Sequence, residues 1–168
     1  MDNLIRKMQK NGVLIDTNIL ILLIVGLTSV DSIASHKKLS AYSVEDFHLL
    51  VGILDSCKHI VASPHILAET SNLASRGLYG DMEMRVFYVL KQVFSEKKFI
   101  EIHTTALDVS DNNGYFKYGL SDVGLLETLK GQYVLLTDDL VLSGYAEKNN
   151  YDVLNFNHLR YGIFEAMR

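Results

Sequence analysis

The sequence predicts an α/β domain built on a mainly parallel sheet, and three observations carry that reading. Apolar runs of strand length alternate with segments of helical periodicity, as in stacked βαβ units. Two of the runs, VLID at residues 13–16 and YVLLT at residues 133–137, show no polar alternation, as expected of strands covered by helices on both faces. The chain also has 168 residues, 48% of them hydrophobic, enough to bury one substantial core. A single domain over residues 1–168 is expected.

Taken in order, the expected strands are residues 13–16, 59–62, 99–103, 133–137 and 153–156, with helices between them. The first and fourth are expected at the centre of the sheet. Ser63 followed by Pro64 reads as a helix N-cap with proline at the first helical position, opening a helix over residues 64–78 that Gly77 and Gly80 are suited to end. Residues 28–45 are polar, and residues 104–119 are rich in turn formers around Asn112-Asn113-Gly114, so both read as loops or short elements. No repeat, low-complexity tract or linker divides the chain.

Several function classes are disfavoured at once. The lone Cys57 has no partner for an internal disulfide, which points to a reducing, cytoplasmic setting. The N-terminal segment lacks the features of a signal peptide, and the longest apolar run, residues 19–27, is nine residues where a membrane span takes about 20. No membrane role is expected. The histidines at 36, 48, 59, 65, 103 and 158 show no i, i+4 pairing, so zinc has little support. Walker A, G-x-S-x-G and G-x-G-x-x-G patterns are absent. A formal charge of −4 argues against a broad basic surface that neutralises nucleic-acid phosphates, yet leaves open phosphate binding through divalent cations.

The acidic residues are therefore the centre of interest. Asp16 closes an apolar strand and is followed by Thr17 and Asn18, so it emerges at the carboxyl end of a parallel sheet, where ligands bind in such folds. Taken alone, Asp16 or Asn18 reads as a cap for the next helix, a very common role for these residues. Thr137-Asp138-Asp139 repeats the arrangement after the fourth strand, with the same capping alternative, though two acids exceed what a cap needs. Asp122 shares a helix face with Leu125, Leu126 and Leu129, and an acid on an inward face costs desolvation unless a partner or metal compensates. Glu69 lies at the border of its helix's apolar stripe, where a solvated glutamate is the ordinary reading.

Company changes that weighting. Asp16, Asp122, Asp138 and Asp139 would all project from one sheet edge, with Glu69 near the start of a helix that begins there. Carboxylates gathered in this way repel one another unless cations neutralise them, and hard oxygen ligands without His or Cys select Mg²⁺ or Mn²⁺. Such a site binds phosphate oxygens and supplies an acidified water for attack on phosphorus.

The segments VLIDTNIL, SPHILAETSNL, GLSDVGLLETL and LLTDD resemble, in order, the four acidic motifs of the PIN-domain nuclease family, over about residues 12–157. The resemblance implies a three-layer α/β/α sandwich and a Mg²⁺- or Mn²⁺-dependent endoribonuclease that leaves a 5′-phosphate and a 3′-hydroxyl. It assigns the four catalytic acids to Asp16, Glu69, Asp122 and Asp139, and leaves Asp138 able to share or replace the last. Thr17, Asn18 and Thr137 match small polar residues that orient the acids. Many bacterial members are toxins of toxin–antitoxin pairs, dimeric and blocked by a small antitoxin protein, so a homodimer and such a partner are implied. This chain is longer than a minimal toxin, mainly through residues 28–45, and roles in ribosomal RNA maturation or RNA decay stay open.

Remaining signals are weaker. Arg76, two turns beyond Glu69, is the best candidate for a backbone contact to RNA, with Lys37, Lys38, Lys97, Lys98 and Lys117 behind it. The tyrosines of residues 115–118 are suited to stacking on unpaired bases or to rim packing. The competing function is a catalytically inactive PIN-like module that binds RNA or protein. A receiver-type signalling domain ranks lower, since the second and fourth strands lack its phosphoacceptor Asp and its Lys.

Overall fold

The computed structural model describes residues 2–166. Strands β1 (Val13–Ile15), β2 (Ile60–Ala62), β3 (Phe99–Glu101), β4 (Val134–Thr137) and β5 (Val153–Asn155) pair in the order β3-β2-β1-β4-β5, all parallel. Every expected apolar run forms a strand, each trimmed by one or two residues. The trimming has a local cause at β1 and β5: Asp16 already caps the following helix, and Phe156 already belongs to one.

The helices are α1 (Asp2–Lys10), α2 (Thr17–Thr28), α3 (Val44–Ser56), α4 (Pro64–Ala74), α5 (Asp81–Ser95), α6 (Ala106–Ser110), α7 (Tyr115–Leu129), α8 (Leu140–Lys148) and α9 (Phe156–Ala166). Parallel crossovers are right-handed, so connections running outward from β1 to β3 and those returning past β1 to β5 fall on opposite faces. The helices sort accordingly, α2 packing with α3, α4 and α5, and α7 with α8, which gives the three-layer α/β/α arrangement. No helix among the described residues is long and apolar enough to cross a membrane.

Helix α2 is buried on nearly every side, which explains its run of Ile and Leu without a polar face. Gly26 makes its contact with α3 possible, because a Cβ there would lie 2.2 Å from the Phe47 ring. Residues 28–45 are polar in composition but anchored: a short 3-10 turn (Val30–Ser32) is followed by buried Ile33, His36, Leu39 and Tyr42. The segment ends in a capping box, with the Ser43 N–H donating to Asp46 Oδ2 (2.8 Å) and the Asp46 N–H to Ser43 Oγ (3.2 Å). Residues 104–119 hold the short α6 and the first turn of α7.

Ser63 and Pro64 open α4 as expected, the Ile66 N–H donating to Ser63 Oγ. The helix stops at Ala74 instead of continuing to residue 78; the chain leaves it at Ser75 and turns through Gly77 at a φ of 87°. Of its features, the one that positions a site is the topology. Chain connections leave β1 and β4 in opposite directions, so their carboxyl ends border a crevice, the switch point where open α/β sheets take ligands.

Candidate active site

At this crevice the β1–β4 register, Ile15 against Leu136, brings Asp16 and Thr137 side by side. The Thr137 hydroxyl donates to Asp16 Oδ2 at 2.6 Å and accepts from the Asp139 N–H at 3.0 Å, tying the end of β1 to the start of α8. Asp16 Oδ1 accepts from the Thr17 N–H at 2.6 Å, so the expected capping role is real. It does not use up the side chain. Asp16 is only 8% exposed, and burial pushes its carboxyl up to about 7, assisted by Asp138 and Asp122 and opposed by the Thr137 and Thr17 hydrogen bonds.

Glu69 arrives on α4, where its Oε2 accepts from the Thr17 hydroxyl at 2.9 Å. Thr17 alone thus holds two acids, Asp16 through its N–H and Glu69 through its hydroxyl. Asp122 arrives on α7, which also meets α4. That helix is interrupted at Gly119, whose φ of 78° and ψ of −176° belong to a region reserved for glycine. A new helical run therefore starts beyond Gly119, which places Asp122 in its first turn, beside buried Val123, Leu125, Leu126 and Leu129. Burial raises the Asp122 carboxyl to about 6, with Asp139 and then Glu69 adding repulsion.

The consecutive acids after β4 have different tasks. Asp139 N-caps α8, its Oδ1 accepting from the Val141 N–H (2.6 Å) and the Leu142 N–H (2.9 Å), while the side chain stays exposed at the rim. Asp138 is held inward: Oδ1 accepts from Asn18 Nδ2 (3.2 Å) and Oδ2 from the Tyr42 hydroxyl (2.5 Å). Its carbonyl accepts from Asn157 Nδ2 at 2.8 Å. Arg160 backs this arrangement, lying 4.6 Å from the Tyr42 ring centre, pairing with Asp46 at 2.8 Å and donating to Asn157 Oδ1 and the Ala41 carbonyl.

The structure therefore joins Asp16, Glu69, Asp122, Asp138 and Asp139 with Thr17, Asn18 and Thr137, through hydrogen bonds or through mutual charge effects. Arg76 is not joined to them; it lies past the end of α4 and is exposed. Tyr42, Asn157 and Arg160 were not expected. The one sequence signal for Tyr42 was an aromatic residue inside a polar stretch.

Ion pairs among the described residues involve Asp152, Glu101 and Asp46, so none of the five acids has an ion-pair partner there, Arg160 standing behind them against Tyr42 and Asn157. Among the described residues no three His, Cys, Asp or Glu side chains stand close enough together to hold a metal ion. In chemistry the donor set suits a hard divalent cation, being carboxylate oxygen throughout, and such a cation would relieve the repulsion that adds to burial in raising Asp16 and Asp122. No protein-family model matches the chain, and no curated protein matches it.

Proposed function

We propose that this protein is a Mg²⁺- or Mn²⁺-dependent endoribonuclease of the PIN type, acting at the acid cluster between β1 and β4. The observation that carries the reading is that Asp16, Glu69, Asp122, Asp138 and Asp139 lie around the switch point with no ion-pair partner among the described residues, two of them held above the ordinary carboxylate range. Such a cluster costs the fold stability and is best understood as a site for cations and, through them, phosphate.

In this reading Asp16, Asp122 and Asp139 would hold the metal, with Asp138 shaping the site from behind or sharing the metal. A divalent cation bound there would supply charge neutralisation for the phosphate and a water acidic enough to attack. Thr137 and Thr17 fix the orientation of Asp16, and Thr17 fixes one oxygen of Glu69. The other Glu69 oxygen would accept a proton from the attacking water. Water forms the new P–O bond as the bond to the 3′ oxygen breaks, leaving a 5′-phosphate and, after protonation by solvent, a 3′-hydroxyl.

The direct test follows cleavage of a single-stranded RNA with and without Mg²⁺ or Mn²⁺. Asp122→Asn is expected to lower the rate by roughly 100-fold or more, as loss of a metal ligand should. Equal rates in parent and variant would sink the reading. The second reading, an inactive module that binds RNA or protein, is favoured by the lack of a ready-made ligand group among the described residues. It requires RNA binding without turnover under every metal condition.

The biological setting is part of the same proposal. A toxin of this type would work in the cytoplasm as a homodimer and be blocked by an antitoxin protein. Exposed Met84, Phe87 and Tyr88 on α5 supply an apolar face for the second copy. Sedimentation of the purified chain at micromolar concentration checks the dimer.

A further inference from the structure

Beside the acid cluster, a groove of about 550 Å³ runs between α8 and the first turn of α7. Leu140, Val141, Gly144, Tyr145 and Lys148 line its α8 side, a stripe at helical spacing that begins next to Asp139 and ends at a lysine. Lys117 and Tyr118 line the other side. We propose that this groove is the binding track for an unpaired RNA strand leading into the acidic site; the direction of the track rests on the nuclease reading above.

Three features fit that occupant. The first is charge: in a chain of net charge −4, two lysines flank one groove, and neither is paired with a carboxylate among the described residues. That is a place for phosphates of a strand whose scissile bond lies at the acids. The second is the aromatic surface. The Tyr118 and Tyr145 ring centres lie 4.4 Å apart with Lys117 Nζ 5.0 Å from the Tyr118 ring centre. Leu140 and Val141, 63% and 62% exposed, continue the apolar surface to Asp139. Aromatic faces beside cations are how proteins hold single strands without reading their sequence, and a paired strand has no free base faces to offer.

The third feature is shape. A Cβ built on Gly144 meets nothing within 4 Å, so the glycine leaves the middle of the groove open. Glycine inside a helix costs stability relative to alanine, and no backbone angle here requires it. Its value is in the space it leaves.

Fluorescence anisotropy tests the track. A 5′-labelled oligouridine and a blunt RNA duplex are titrated in Mg²⁺ with the Asp122→Asn chain, so that binding is read apart from cleavage. The single strand is expected to bind and the duplex to compete poorly. Gly144→Leu, whose Cβ meets no protein atom within 4 Å and whose side chain takes up space in the groove, is expected to weaken binding at least tenfold while leaving the melting temperature unchanged or higher. Lys117→Ala with Lys148→Ala is expected to weaken binding and to flatten the dependence of log Kd on log salt by about 1.4, for two lost phosphate contacts. Unchanged affinity in these variants, equal binding of the duplex, or no binding of RNA would each overturn the proposal. Groove-dependent binding with no cleavage by the parent chain would leave the track standing and remove the nuclease reading.

Discussion

Asp16 closes a strand, caps a helix and holds a carboxyl in the interior at once, and its protonation should show in stability. Its folded value of about 7 lies above the ordinary 3.8, so the folded state binds the proton more tightly than the unfolded state. Stability from this group is then present at low pH and is lost as pH rises through about 7, an effect on the order of 4 kcal/mol for three units. Asp122, raised to about 6, adds in the same direction. Metal-free protein is therefore expected to melt lower at pH 8 than the Asp16→Asn variant, with the difference closing toward pH 5; a constant difference across that range would contradict the placement of Asp16. Tyr42 acts through another residue. Tyr42→Phe removes the hydrogen bond that holds Asp138 and is expected to weaken Mn²⁺ binding or kcat by roughly 10- to 100-fold with KM for RNA unchanged. A KM effect alone would assign Tyr42 to substrate contact instead.

The motif-bearing elements have caps and breaks that set where their acids stand. Apolar runs and punctuation made much of this legible: VLID and YVLLT became adjacent central strands, and Ser63-Pro64 opened α4. Asp122 was legible for the same reason, since an acid among Leu125, Leu126 and Leu129 contradicts its own helix pattern. Hidden features were those that no local pattern encodes. The Tyr42–Asp138 bond joins positions 96 residues apart, and Arg160 reaches Ala41 across 119, so the polar composition of residues 28–45 suggested a loop where tertiary contacts make an anchored strap. The kink at Gly119 was hidden too, because a lone glycine does not announce its backbone angle. Gly119→Ala meets no steric obstacle, so its cost is conformational, about 1–3 kcal/mol in urea unfolding. A neutral substitution would show that the kink does not need glycine.

At the scale of the molecule, an acidic chain is expected to engage a polyanion, and its topology resolves the tension. The switch point collects acids from β1, α4, α7 and the β4–α8 junction at one edge, while Lys117 and Lys148 mark a separate groove beside it. Charge is thus arranged by position, which the net value of −4 conceals. The three-layer frame was predicted from the alternation of runs; the different settings of Asp138 and Asp139 were not, because both follow the same strand and no local pattern separates them. The most direct measurement is a Mn²⁺ titration followed by electron paramagnetic resonance at pH 8, on the parent chain, Asp122→Asn and Asp139→Asn. The parent is expected to bind Mn²⁺, with affinity falling at pH 5.5 as Asp16 and Asp122 take up protons, and each variant to bind at least tenfold more weakly. Absence of binding in the parent, or equal affinity in all three proteins, would contradict the assignment of this edge as a divalent-cation site.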